Sequence, residues 1–310
     1  MEKKYKAIGL LSGGLDSAVA VKLILMQNID ILAVNFSSIF CQCNKKNGCG
    51  ANSVAKNLNI SLMHVVKEND YLNIIKNPEF GYGQGLNPCI DCRIYMFKKA
   101  KEIMEQQKAD FIFTGEVINQ RPFSQRKHIM DLIDKKAGVQ DKILRPLSAK
   151  LLPPTEAERN GIINREKLLD IKGRRRTIQY DFVENFAIKG YACPAGGCLL
   201  TDKIFSDKLK KMFEINPQCT SSDINLLKYG RIFWEEKNLI VIGRNQQENE
   251  TLRNLKDKND IFIILENIPS PAALIRGNNI STEIIEKSKN IIIQYTTKKI
   301  EKQPIFTVVK

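Results

Sequence analysis

Histidine is nearly absent from this sequence. His64 and His128 are the two in 310 residues, too little material for a histidine-based metal or acid–base centre, and His64 lies in the apolar run "SLMHVV", where an ordinary strand residue is expected. Long hydrophobic runs are missing as well. Although 43% of the chain is hydrophobic, no stretch approaches the roughly 18 to 20 apolar residues of a membrane span, which excludes a membrane role. The opening "MEKKYKAIGLLSGG" has a charged start, but its short apolar run breaks at glycines. It reads as a first strand and not as a signal peptide, so a cytoplasmic location is expected. Acidic residues are in deficit: 34 Asp and Glu face 48 Lys and Arg, for a net charge of +14. An excess of that size suits an anionic partner such as nucleic acid, although a Lys- and Asn-rich genome produces the same bias. Finally, with no secretory segment, the eight cysteines read as metal ligands or reactive thiols in preference to disulfides.

What is present is an alternation. "YKAIGLL" reads as strand, "AVAVKLILMQ" as helix and "DILAVNF" as strand, followed by "NSVAKNLN" as helix, "SLMHVV" as strand, "CRIYMFKKAKEIMEQQK" as a long helix and "ADFIFTGE" as strand. Repeated βα units predict the α/β class: a doubly wound parallel sheet with helices on both faces and ligands off the carboxyl ends of the strands. Past Pro153 and Pro154 the pattern becomes irregular, and from about residue 220 short β-like runs surround one polar helix. The expected division is a nucleotide-type domain over 1–218, carrying the cysteines, and a small α+β module over 219–310.

Between the first strand and its helix stands "LLSGGLDSA". Gly13 and Gly14 let the backbone approach a ligand with its N–H groups turned inward, and the helix N-terminus adds partial positive charge, so the turn is built for phosphate oxygens. It is neither a Walker loop nor the dinucleotide fingerprint, whose spacings are absent. The bland alternative is a Ser/Gly/Asp turn that caps a helix. SGGLDS after an apolar strand closely resembles the PP-loop of the ATP pyrophosphatase superfamily. That resemblance implies cleavage of ATP to AMP and pyrophosphate, with Ser12, Ser17 and the amides of Gly13 and Gly14 on phosphate and Asp16 on Mg²⁺ or positioning the loop. A second stretch, "FIFTGEVINQRPFSQ", ends a strand in Thr114, Gly115 and Glu116 and resembles the PP-loop domain of the tRNA 4-thiouridine synthases, as does "ILRPLSAK" after it. Gly115 and Gln125 are thereby expected at the nucleotide, and Arg121 and Arg145 either there, at tRNA phosphates, or as solvated residues.

"NPCIDCR" places Cys89 and Cys92 three apart before a helix, and "CPAGGCLLTD" adds Cys193 and Cys198. A C-x-x-C turn turns both sulfurs to one side, and a helix N-terminus favours thiolate. The set Cys89, Cys92 and Cys198, with Cys193 as the alternative third ligand, resembles that of cluster-dependent tRNA thiolation enzymes. There three cysteines hold a [4Fe–4S] cluster and leave one iron open for hydrosulfide. A persulfide carrier with a resolving cysteine and a zinc site using all four thiolates stay open beside it. Cys41, Cys43 and Cys49 in "FCQCNKKNGCG" read as a second metal site, a relay or ordinary loop thiols, and Cys219 as structural.

The tail, with "LKYGRIFW", "VIGRNQQENETL" and "PSPAALIRG", resembles the small RNA-binding module attached to fibronectin-binding-like ribosome-associated proteins. Arg231, Arg244 and Arg276, together with the strip Arg174, Arg175 and Arg176, are the candidates for RNA phosphates; Tyr229, Phe233 and Trp234 are candidates for base stacking or for core packing. The 4-thiouridine synthases carry an RNA-binding N-terminal extension that does not precede this first strand, so RNA recognition is expected to be built differently.

The combined expectation is an ATP-dependent tRNA sulfurtransferase that adenylates a uridine carbonyl oxygen and replaces it with sulfur. Asp16, Cys89, Cys92 and Cys198 would be at its chemistry, and ATP, Mg²⁺ and a [4Fe–4S] cluster its cofactors. Its partners would be tRNA, sulfide or a sulfur-donor protein, and a second copy in a homodimer. The rivals are a PP-loop enzyme that moves sulfur on a small molecule and a non-catalytic RNA-binding or iron–sulfur sensor protein.

Overall fold

The computed structural model of the chain describes residues 4–42, 50–192, 197–299 and 303–309. Cys43, Cys49 and Cys193 lie outside them. The chain divides into two compact units, Met1–Asp202 and Lys203–Lys310, so the contacts assign 203–218 to the second unit where the sequence pattern had drawn the line after 218. The reason is local: this stretch is a helix, Lys203–Ile215, whose period resembles that of the helices before it.

In the first unit, β1 (Lys6–Leu10), α1 (Leu15–Leu25), β2 (Asp30–Ser37), α2 (Gly50–Asn57) and β3 (Ser61–Val66) form the expected succession. They are followed by α3 (Asn69–Lys76), α4 (Cys89–Gln106), β4 (Phe111–Thr114), α5 (Lys127–Ala137), β5 (Ile143–Leu144), the single turn α6 (Glu156–Arg159) and α7 (Thr177–Asn185). The sheet is parallel in the order β3-β2-β1-β4-β5. Strand order reverses beside β1, so β1 and β4 neighbour each other while their following loops leave in different directions. The crevice of a doubly wound sheet opens at that switch point, off the carboxyl ends of the strands. Leu10 pairs with Thr114 there, which sets the turn after β1 against the loop after β4.

The central strands are apolar on both faces because both faces are covered. Ala7, Leu11, Phe111 and Phe113 pack with Ala18, Val21 and Val183 on one side, and Ile8, Val34 and Ile112 pack with Ile94, Phe97 and Ile133 on the other. A buried ion network fixes the far side of β4. Arg145, 5% exposed, donates to both carboxylate oxygens of Asp134 at 2.8 and 2.7 Å and to Glu116 at 3.0 Å. Its place in the sequence fitted a phosphate contact. Its guanidinium is instead taken up inside the fold.

The second unit opens with α8 (Lys203–Ile215) and α9 (Ser221–Leu226), the latter begun by a Thr220–Asp223 capping box. Then come β6 (Arg231–Glu235), β7 (Asn238–Ile242), α10 (Gln246–Asn254), β8 (Ile261–Leu265), β9 (Ala273–Arg276), α11 (Thr282–Gln294) and β10 (Phe306–Val309). The sheet is antiparallel, ordered β10-β8-β9-β7-β6. Its apolar face, with Ile240, Ile242, Ile263 and Ile275, is covered by Ile284 and Ile292 of α11. Among the described residues no helix is long and apolar enough to cross a membrane.

The switch point has no room for side chains at one position. A Cβ on Gly115 would stand 2.6 Å from the Asp16 carbonyl carbon and from the Ser17 nitrogen, closer than real Cβ contacts come, and the obstacle is backbone. We expect Gly115→Ala to lower the stability of the N-terminal unit by about 1–3 kcal/mol, read as an earlier urea midpoint at unchanged slope.

Candidate functional site

The turn after β1 is shaped by two close approaches. Gly13 has φ +78°, and a Cβ there would lie 2.3 Å from the Ala51 nitrogen at the start of α2. Only glycine satisfies both the left-handed backbone and the contact. Ala192 lies in parallel pairing with Gly14 and donates its N–H to the Gly13 carbonyl at 2.7 Å. Ser17 Oγ donates to the Gly14 carbonyl at 2.8 Å and lies 3.2 Å from Ser12 Oγ. Among the described residues no side chain caps α1, which leaves the amides of its first turn available to an anion. Ser12, Gly13, Gly14, Asp16 and Ser17 are thus gathered at one turn, with Gly115 packed behind it.

Asp16 is held from a direction the sequence did not suggest. Gln179, fully buried on α7, donates to its Oδ1 at 3.1 Å, and Arg176 Nε stands 3.4 Å from Oδ2. Arg176 is therefore part of this loop's surroundings, while Arg174 and Arg175 are exposed on the turn before α7. Arg121 adds to the same positive region. Crowding by the protein lowers its guanidinium's pKa, and Arg93 and Arg176 lower it further, while Cys89 and Asp16 act in the opposite sense. Arg93, for its part, pairs with Glu116 at 3.5 Å. Gln125 is buried in the loop after β4, where its Oε1 has no partner among the described residues.

The thiols stand at the same edge. Cys89 and Cys92 occupy the first turn of α4, three residues apart and so on one helix face. Lys67, directly after β3, is buried, donates from Nζ to Cys92 Sγ at 3.3 Å and lies over the ring of Tyr71 at 4.3 Å. Burial pushes the Cys92 thiol up, but the Lys67 ammonium, the Tyr71 hydroxyl and Arg93 outweigh it and hold the pKa below the ordinary thiol value. Burial and the neighbouring Cys92 raise Cys89. Burial likewise pushes Cys198 up to about 12. Of the three, Cys92 is the thiol whose surroundings favour ionisation.

Cys198 is held at this place by a strap over residues 197–200. Leu199 N–H donates to the Phe40 carbonyl at 2.8 Å and Leu86 N–H to the Leu200 carbonyl at 2.9 Å. Thus Ala192 rests on the glycine turn and Cys198 on the cysteine site, a few residues apart in sequence. The convergence of Cys89, Cys92 and Cys198 is not yet a ligand set: among the described residues no group of three or more His, Cys, Asp or Glu is arranged to hold a metal ion. Cys193, the alternative third ligand, lies outside the described residues. Lys67 and Tyr71 were missed in the sequence. A lysine at the end of a strand and a tyrosine in an unassigned helix carry no spacing signal toward a cysteine 25 residues on.

In the second unit, Arg276 and Arg244 are engaged internally. Arg276 donates to Asp260, Ser222 and the Leu255 carbonyl and pairs with Asp223 and Asp257. All three guanidinium nitrogens are used, so an arginine expected at RNA phosphates instead ties β9 to the helix ends around it. Arg244 pairs with Glu248 in the next turn. Arg231 stacks on Tyr295 at 4.4 Å, Phe233 packs against the same ring, and Lys211 lies over Trp234.

Comparisons with known proteins bear out the resemblance in both parts. Residues 5–152 match the tRNA methyl transferase HUP domain, and residues 230–310 match the NFACT protein RNA binding domain. A curated relative, the tRNA-specific 2-thiouridylase MnmA of Leptospira biflexa, is 28% identical over 153 residues, 44% of this chain and 40% of the relative. The chain therefore matches less than half of that protein's length. Among solved structures, a 4-thiouridine synthetase–RNA complex with bound ATP is 20% identical, covering 72% of this chain and 52% of that one, at a TM-score of 0.41. The U34-tRNA thiolase NcsA of Methanococcus maripaludis with its [4Fe–4S] cluster is 18% identical, covering 74% and 73%, at 0.32.

The Lys67–Cys92 contact sets the reactivity of the site. Replacing Lys67 with Met removes the cation that favours the thiolate, so the pH profile of Cys92 alkylation by iodoacetamide should move to higher pH and the rate at neutral pH should fall. Lys67→Arg should restore part of it. Quantitative peptide mapping of Cys92 reads both, with Cys92→Ser as the blank.

Proposed function

We infer that this protein is an ATP-dependent tRNA sulfurtransferase that acts in the cytoplasm and converts a uridine to a thiouridine. One observation carries the reading. The glycine turn and the cysteine site share one edge of one sheet: Ala192 pairs with Gly14 at the turn, and Cys198 lies within electrostatic reach of Cys92. A phosphate-binding turn beside a cation-stabilised thiolate suits a reaction that first activates an oxygen with a nucleotide and then replaces it with sulfur. The matches to a HUP domain and to an RNA-binding domain, in that order along the chain, support RNA as the acceptor.

In this reading the amides of the SGGLDS turn and of the first turn of α1 hold the departing pyrophosphate, with Ser12 and Ser17 beside them. Charge builds on the phosphate oxygens as the α-phosphorus is attacked, and donors already aimed at the site lower that barrier without reorganising. Arg176 and Arg121 supply positive charge, and Asp16, held by Gln179, keeps Arg176 in place. Mg²⁺ is commonly bound by one or two carboxylates and the substrate's own phosphates; Asp16 is the carboxylate of this turn, and the ion's part would be charge neutralisation. The attacking group is a uracil carbonyl oxygen, and the target base has to be turned out of its stack to enter the crevice. Once adenylated, that oxygen leaves as AMP when a sulfur nucleophile adds to the ring carbon.

Sulfur would be presented from the cysteine site, where Cys92 is the thiol that Lys67 favours as thiolate. It would arrive there as sulfide or from a donor protein. A [4Fe–4S] cluster, were it held by Cys89, Cys92 and Cys198, would supply an open iron for the incoming sulfide. Gln125, with its unpartnered buried oxygen, is a candidate for a polar edge of the nucleotide.

Purified protein given ATP, sulfide and tRNA should release pyrophosphate only when tRNA is present and should yield one thiolated nucleoside by mass spectrometry. Asp16→Asn should slow both by on the order of 100-fold, about 2.7 kcal/mol in the barrier. Pyrophosphate release indifferent to tRNA would point to a small-molecule acceptor instead.

A further inference from the structure

The sulfur chemistry above makes no use of Cys41, which follows β2 and faces the strap. Two backbone hydrogen bonds bracket it: Leu199 N–H to the Phe40 carbonyl at 2.8 Å and Gln42 N–H to the Gly197 carbonyl at 3.2 Å. Between these bonds Cys41 and Cys198 stand directly opposite each other as an antiparallel bridge. Bonds that flank a pair, with none exchanged by the pair itself, define the non-hydrogen-bonded site of an antiparallel ladder. At such a site the Cα atoms lie about 4.5 Å apart and the two side chains project from the same face at their closest approach. A disulfide takes Cα separations of about 4.4–6.8 Å, so this register brings the two sulfurs within bonding reach without moving the backbone. Both cysteines are half-buried and neither is in a disulfide, so a small oxidant can reach them.

We propose that Cys41 and Cys198 form a reversible disulfide, a redox modification site whose co-reactant is a two-electron oxidant of the peroxide class. The Cys41 thiol attacks one peroxide oxygen and its proton passes to the departing one; the O–O bond breaks, water leaves and a sulfenic acid remains. The Cys198 thiol then attacks that sulfur, the S–O bond breaks and a second water departs carrying the Cys198 thiol proton. The two thiols give up two electrons and the peroxide accepts them. A dithiol reverses the change. The consequence for activity rests on the function inferred above: oxidation withdraws Cys198 from the sulfur site and staples the strap to the loop after β2, so thiolation stops until the bond is reduced.

The test is peptide mapping of the full chain after treatment with stoichiometric hydrogen peroxide, with remaining thiols alkylated under denaturing, non-reducing conditions. Fragmentation has to separate Cys41 from Cys43, and Cys198 from Cys193, which share tryptic peptides. The expected product is a Cys41–Cys198 link that dithiothreitol removes and that is absent from Cys41→Ser. In parallel, thiolation by the wild-type protein should fall about tenfold or more on oxidation and recover on reduction, while Cys41→Ser keeps its rate through the same treatment. A link from Cys198 to Cys89, Cys92 or Cys193, a link from Cys41 to Cys43, or full alkylation of Cys41 after peroxide would overturn the proposal. If the Cys41–Cys198 link forms but reduced protein thiolates nothing, the pair stands and the inferred function falls.

Discussion

The site depends on backbone meeting backbone at the carboxyl edge of the parallel sheet. Gly13 lies against the start of α2, Gly115 against Asp16 and Ser17, and Ala192 against Gly13 and Gly14. Each approach is possible because at least one partner has no side chain in the way. Together they leave the first-turn amides of α1 exposed to the crevice and bring three separate parts of the chain to one point. A fold that places main-chain dipoles this way offers an anion a site that needs no rearrangement on binding.

Around that point the charges are unequal. Arg93, Arg121, Arg176 and Lys67 outnumber the carboxylates beside them, since Glu116 is shared between Arg93 and Arg145 and Asp16 is held by Gln179 and Arg176. An unbalanced cationic crevice favours bound anions in two forms, phosphate at the turn and thiolate at Cys92. The same charges would favour both, so an anion at the turn and a thiolate at Cys92 do not work against each other.

The parts of this arrangement that were legible in the sequence are those with a short-range signature. The βα succession through β4, the glycine turn and the C-x-x-C pair are all written within a few residues, and each appears where its pattern put it. What the sequence withheld needed long-range contacts. Arg176 looked like one of a basic strip, and its tie to Asp16 spans 160 residues. Arg276 ends β9 and precedes a glycine, a place suited to a phosphate-contacting arginine, yet three aspartates and the Leu255 carbonyl claim it. β5 is two residues long, and α3 and α5 are interrupted by polar residues on their solvent faces, so none of the three stood out from the surrounding loops. The pairing of Cys41 with Cys198 is of the same kind: it exists in a ladder register that no local pattern encodes.

The central claim is that an RNA oxygen leaves on the phosphorus of ATP. Transcribing the substrate tRNA with uridine carrying ¹⁸O at its carbonyl positions and measuring the mass of the AMP formed tests this directly. The account requires one ¹⁸O in AMP for each thiouridine made; unlabelled AMP accompanying thiouridine would mean that the uridine oxygen was never joined to the nucleotide, and would contradict it.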